Sequence, residues 1–266
     1  PGEYSKYWAI RSGIFPSVGG TRQPGTTCLI EDVAFHIEDL PEATADLQQL
    51  IARHGYDDAC IYGYLIPSNM FATVVLGYME TIAHEVLKDE ALAAEAASLK
   101  KEIHDAIESM AIVDNYYYGK VYAYEVDGYG QYMLMDDANV PSLLAMDYLG
   151  YEADDRQVVE NTRNFVLSCA NPYYYEGSCA KGVGSQHTKP GYIWHIALAI
   201  QGLTSKTKEE KLAILNTMKN TDAGKHMMHE GFDVNDPANY TREWFSWANA
   251  MFCELVLDYC DIRVAR

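Results

Sequence analysis

The chain is 266 residues long, with 48% hydrophobic side chains, enough for one sizeable core, and no break in composition that marks a second domain. Thirty-eight Asp+Glu against 20 Lys+Arg give a formal charge of -18, a field that repels nucleic-acid backbones and anionic membrane surfaces, so neither is expected as a partner. Six cysteines (Cys28, Cys60, Cys169, Cys179, Cys253, Cys260) form no CxxC pair and no zinc-spaced cluster, which predicts free thiols in a reducing, cytoplasmic setting.

Residues 1–40 are rich in Gly, Pro, Ser and Thr and carry no helical or strand period, so they read as loop. Residues 1–54 as a whole form a segment without a clear assignment. Helical signal begins at Pro41, with Leu47, Leu50 and Ile51 at i, i+3, i+4. A longer helix is expected from MFATVVLGYMETIAHEVL, apolar nearly all round at its start and hence an inner, buried element. No stretch approaches the roughly 20 apolar residues of a membrane span. The Ala-rich segment from Asp89 to Ile112 predicts an outer helix with one solvated face.

The Tyr-, Val- and Gly-dense run that starts at Asp114 reads as a hairpin or a long ordered loop. Helices are then predicted over Val140–Leu149, Asp155–Leu167, Pro190–Leu203, Lys208–Lys219 and Arg242–Tyr259. Apolar helices alternate with polar ones across long Gly/Tyr-rich loops. That alternation fits an all-α toroid of helical hairpins with inner helices around a cavity, or a plain helical bundle.

Five loop segments preceding apolar helices hold the unusual polar and aromatic residues: 56–71, 124–144, 184–195, 229–232 and 241–249. Within them IPSNMF, LMDDANVPSLL and WFSWAN resemble the signature blocks of glycoside hydrolase family 125, in the family's order, from Asp57 to Tyr259. The resemblance implies metal-independent exo-α-1,6-mannosidases built on an (α/α)6 barrel, acting on mannose-containing oligosaccharides or N-glycans with inversion. It implies Asp57 as the acid and Glu230, in the HE block, as the base, with Asp58 as the alternative acid or a substrate contact. His54-Gly55-Tyr56 stands where the family has Arg-Pro-Ser, and the family's N-terminal Trp-Leu-Arg-Asp block has no counterpart. The barrel is therefore expected to be incomplete, with the catalytic portion over residues 55–266.

Inverting hydrolysis needs only one carboxylic acid and one carboxylate about 6.5–9.5 Å apart, so no cofactor is expected. The resemblance also implies a sugar-binding cup from Asp136, Asp137, Asn139, His187, Tyr192 and Trp194, with Arg242 orienting Glu230. Asp136 or Asp137 reads equally as a helix cap. Trp194 reads equally as core, and Trp244 and Trp247 read as packing residues. Asp136-Asp137-Asn139 lacks EF-hand spacing and His226-x-x-His229-Glu230 is not HExxH, so no metal is expected.

Overall fold

The computed structural model describes residues 62–262, all within the second of the chain's two units, Asp58–Arg266. Helices dominate the described residues. Strand β1 (Tyr64–Leu65) leads into α1 (Ile66–Ile82), whose last turn widens into a π-helical turn over Ala83–Leu87. Helix α2 (Glu90–Met110) packs back against it. Pro67 sits in the first turn of α1, where a missing N–H costs nothing, and the Asp89 side chain caps α2 by accepting from the amides of Ala91 and Leu92.

The Tyr-rich run that follows forms a hairpin of β2 (Ile112–Asn115) and β3 (Gly119–Tyr122), then β4 (Glu125–Val126) and β5 (Tyr132–Met133), with β4 between β1 and β5. Helix α3 is short, Met146–Leu149, in place of the predicted Val140–Leu149. Residues 140–145 form turns instead, because Pro141 has no amide to donate and the amides of Leu143 and Leu144 bond the Asp136 carboxylate.

Helix α4 (Arg156–Val166) buries Val158, Val159, Thr162, Phe165 and Val166 and lies against β3. Strands β6 (Tyr174–Glu176) and β7 (Lys181–Val183) form a second hairpin. The predicted helix at Pro190 begins later: β8 (Tyr192–Trp194) precedes α5 (His195–Leu203). Helix α6 (Lys208–Asn220), strands β9 (Gly231–Asp233) and β10 (Tyr240–Thr241), and α7 (Ser246–Tyr259) complete the described elements.

The expectation of buried and half-exposed helices holds at α5, where His195 to Ile200 are all buried and α6 and α7 pack around it. Gly202 permits the α7 contact, since a Cβ there would meet Leu255 at 2.7 Å. It fails at α1. Only Ile66, Pro67, Met70 and Thr73 of that helix are buried, while Tyr78, Met79 and Ile82, with Val86 and Leu87 of the π turn, are exposed. The main partners of α1 are α2 and α3, which cover one side. By length and composition alone Ile66–Leu87 is also apolar enough to cross a membrane, contrary to the expectation of no such stretch.

Candidate active site

Glu230 lies immediately before β9, the middle strand of the antiparallel sheet β10-β9-β8. The tight 233–239 connection follows from its Asp and Asn residues: Asp233 accepts from the Asn235 amide and Asp236 from the Ala238 amide. The backbone of Glu230 is held from both sides. Its N–H donates to the Thr241 carbonyl and its carbonyl accepts from the His195 N–H, each at 3.3 Å. The Glu230 side chain is 14% exposed, and its Oε1 lies 3.2 Å from Nε of Arg242. Arg242 adopts a left-handed backbone (φ 46°), which costs a non-glycine residue about 1–2 kcal/mol. Its guanidinium carbon sits 5.6 Å from the centre of the Phe245 ring.

Gly231 has to be glycine because Trp194 approaches so closely: a Cβ would meet indole Cδ1 at 2.9 Å. Trp194 is buried, donates from Nε1 to Thr188 Oγ1 at 3.0 Å, and meets Phe245 edge to face. Trp244 and Trp247, expected to pack, are instead 63% and 60% exposed. Trp244 lies just ahead of α7 and Trp247 in its first turn, where its ring meets Phe245 with centroids 5.3 Å apart.

A second group gathers around Ser185. Its hydroxyl donates to Asp137 Oδ2 at 2.8 Å and accepts from the His187 N–H, while Asp137 Oδ1 accepts from the Asn139 N–H. The Ala138 N–H donates to the Gly184 carbonyl, which joins the 136–139 loop to the 184–188 loop. Thr188 connects the two groups, donating from its amide to the Ser185 carbonyl and accepting from Trp194. Asn139 is half-buried, His187 is exposed, and Tyr192 is buried, with burial raising its hydroxyl pKa.

Asp136 holds the 140–145 turns, while the helix it was expected to cap starts only at Met146, with no side-chain cap. Asp136 is fully buried, and its two oxygens accept from the amides of Leu143 and Leu144 at 2.8 and 2.9 Å. Burial pushes its carboxyl up to about 7 against the pull of those two donors. Asp57 and Asp58 lie outside the described residues. Among the described residues, no three His, Cys, Asp or Glu side chains form a metal-binding group. A cleft of about 430 Å³ lined by Tyr64, Asn69, Glu102, Asp127 and Tyr129 holds none of the predicted site residues.

Two buried histidines support Glu230: His229, which the sequence named only in setting aside a metal motif, and His195, which carries no motif in its apolar run. His195 Nδ1 lies 3.0 Å from the His229 N–H, which can only donate, so that nitrogen is the acceptor; Nε2 then donates to Thr221 Oγ1, also at 3.0 Å. Burial holds His195 neutral, with its pKa down at about 3. His229 Nδ1 lies 2.6 Å from the Glu243 carbonyl, an acceptor only, so Nδ1 carries the proton. Its ring stacks on Tyr240 with centroids 3.9 Å apart. Its Nε2 is buried and has no hydrogen-bond partner among the described residues, a condition that costs about 1–3 kcal/mol.

The assembly presents one partly buried carboxylate beside an arginine, with amide, hydroxyl and aromatic groups linked to it. A carboxylate so held can take a proton from water as a general base. The family model described as metal-independent alpha-mannosidase (GH125) matches residues 51–257. A second, described as the C-terminal domain of FAD linked oxidases, matches residues 1–100 and overlaps the first over 51–100. The Meiotically up-regulated gene 157 protein of Schizosaccharomyces pombe is 42% identical over 206 residues, 77% of this chain and 40% of that protein. A metal-independent alpha mannosidase of Streptococcus pneumoniae, solved as a non-productive substrate complex with alpha-1,6-mannobiose, is 54% identical. The likeness covers 78% of this chain and 49% of that one, with a TM-score of 0.74. A bacterial glucoamylase complexed with acarbose shares the fold at 14% identity and a TM-score of 0.58, over 85% of this chain and 39% of that one. The chain thus spans less than half the length of each.

Proposed function

The chain belongs to the metal-independent alpha-mannosidase family (GH125), and on that premise we propose that it releases terminal α-linked mannose from glycans with inversion, Glu230 serving as the base. The observation that carries this reading is the Glu230 carboxylate, partly buried, paired with Arg242 and fixed through both its backbone groups. In the mechanism, Glu230 draws a proton from a water on one face of the sugar while a carboxylic acid on the other protonates the leaving oxygen. Asp57 is the proposed acid and Asp58 the alternative. The α-1,6 linkage is supported by the disaccharide held by the Streptococcus pneumoniae relative, and an (α/α)6 barrel by the likeness to both solved structures. Asp137, Asn139, His187, Tyr192 and Trp194 form the proposed cup for the terminal mannose. Four exposed free thiols among the described residues fit the proposed cytoplasmic setting.

Glu230→Gln keeps the shape of the side chain and removes its basicity. It is expected to abolish mannose release from α-1,6-mannobiose while the circular dichroism spectrum and melting temperature stay those of the parent. Undiminished release by the variant removes Glu230 from the base role.

A second reading, a glycan-binding protein without turnover, is favoured by one feature: the segment carrying Asp57 is matched by two unrelated family models and lacks Arg-Pro-Ser. It predicts calorimetric mannoside binding with no product. Binding that is unaffected by Asp57→Asn accords with it.

A further inference from the structure

We propose that His229 is a positioning residue for the Glu230–Arg242 pair, acting through the hydrogen bond from its Nδ1 to the Glu243 carbonyl. The inference rests on Glu230 as the reacting carboxylate, but its geometry stands apart from any activity. Arg242 lies in the left-handed region, a conformation that a non-glycine residue holds only when its neighbours impose it. The residue just before it is pinned: the Thr241 carbonyl accepts from the Glu230 N–H and its hydroxyl from the Gly231 N–H, at 3.3 and 3.1 Å. The residue just after it, Glu243, is pinned by His229 at 2.6 Å. Phe245 completes the turn by donating its N–H to the Met228 carbonyl at 3.1 Å. Residues 228–231 thus hold 241–245 rung by rung; two of these rungs use side chains, the Thr241 hydroxyl before Arg242 and the His229 ring after it. Stacking on Tyr240 fixes the plane of the ring, and the His195 Nδ1 bond fixes its backbone. Without the His229 donor, the turn at Arg242 is free to relax and the guanidinium leaves Glu230 Oε1. A ring with no polar atom would stack as well and avoid a buried Nε2 that has no partner among the described residues, so stacking alone does not account for a histidine at this position.

Three substitutions separate positioning from packing. His229→Asn places an amide N–H near the position of Nδ1, His229→Gln places one near Nε2, and His229→Phe keeps the ring without a donor. The primary readout is the Arg242 Nε–H resonance in 1H–15N spectra of the whole chain, assigned by its absence in Arg242→Lys. With the Arg242 side chain 65% exposed, the diagnostic is its chemical shift, expected to be the same in the parent and His229→Asn and moved in His229→Gln and His229→Phe. On α-1,6-mannobiose, the same two variants are expected to lose about 10²-fold in kcat, with KM within about threefold of the parent and substantial recovery in His229→Asn. An Arg242 resonance that keeps the parent shift in His229→Gln or His229→Phe, or that moves equally in His229→Asn, overturns the inference. If His229→Phe fails to fold, the contrast between Asn and Gln still decides it. Full activity of Glu230→Gln together with the predicted spectra refutes the mannosidase base and leaves the positioning role standing.

Discussion

Asp136 and His195 are both fully buried, and burial moves them in opposite directions. His195 falls to about 3 in the folded chain from 6.5, so its stabilising contribution is complete above pH 6.5 and is lost as the pH falls toward 3. Asp136 rises to about 7 from 3.8, so its contribution is complete below pH 3.8 and is lost as the pH rises through 7. Between those limits the folded chain holds a proton on Asp136 that the unfolded chain releases, and refuses one on His195 that the unfolded chain takes. The two slopes nearly cancel. Asp136→Asn removes one of them, so urea unfolding of that variant should show stability falling with acidification from pH 6.5 to 4.5 by up to about 1.4 kcal/mol per pH unit more than in the parent. Equal slopes in the two proteins contradict the assignment. At pH 7 the same substitution turns an amide NH2 toward one of the Leu143 and Leu144 N–H donors, and a loss of about 1–3 kcal/mol is expected.

Among the elements, the sheet β10-β9-β8 bears most directly on function, and the glycines in it and packed against it, Gly231 and Gly184, are the most exacting positions. A Cβ on Gly184 would lie 2.0 Å from the Tyr192 carbonyl oxygen, which belongs to backbone and has little room to move. Gly184→Ala should therefore destabilise by about 1–3 kcal/mol and disturb the Ser185–Asp137 contact, seen as a lower melting temperature and weaker mannoside binding. An unchanged melting temperature contradicts so close an approach. Helices with a clear apolar period were legible: Arg156–Val166 and Lys208–Asn220 fall within about a residue of their predicted bounds. The start of α5 was not, since Tyr192-Ile193-Trp194 is apolar in either conformation and only pairing with β9 makes it a strand. The burial of α1 was misread for a related reason. Its composition reports what the helix is able to pack against, whereas its exposure reports what is there, and α2 and α3 cover only one side.

For the whole molecule, the contiguous IPSNMF, LMDDANVPSLL and WFSWAN blocks led to the family, and the resemblance then placed Glu230 in the HE block. The links among Ser185, Thr188, His195 and His229 form no such block in sequence: Ser185 reaches Asp137 across 48 positions and His195 reaches His229 across 34, so only folding unites them. Arg242 was placed beside Glu230 by resemblance, and the 3.2 Å contact puts it there. The chain spans 49% of the length of its Streptococcus pneumoniae relative, which leaves turnover by this chain itself as the central claim to be tested. The most direct measurement is a proton NMR time course of α-1,6-mannobiose with the parent chain and with Glu230→Gln. The account predicts β-mannose as the first anomer released by the parent, before mutarotation, and none released by the variant. α-Mannose appearing first, or equal release by both proteins, would contradict it.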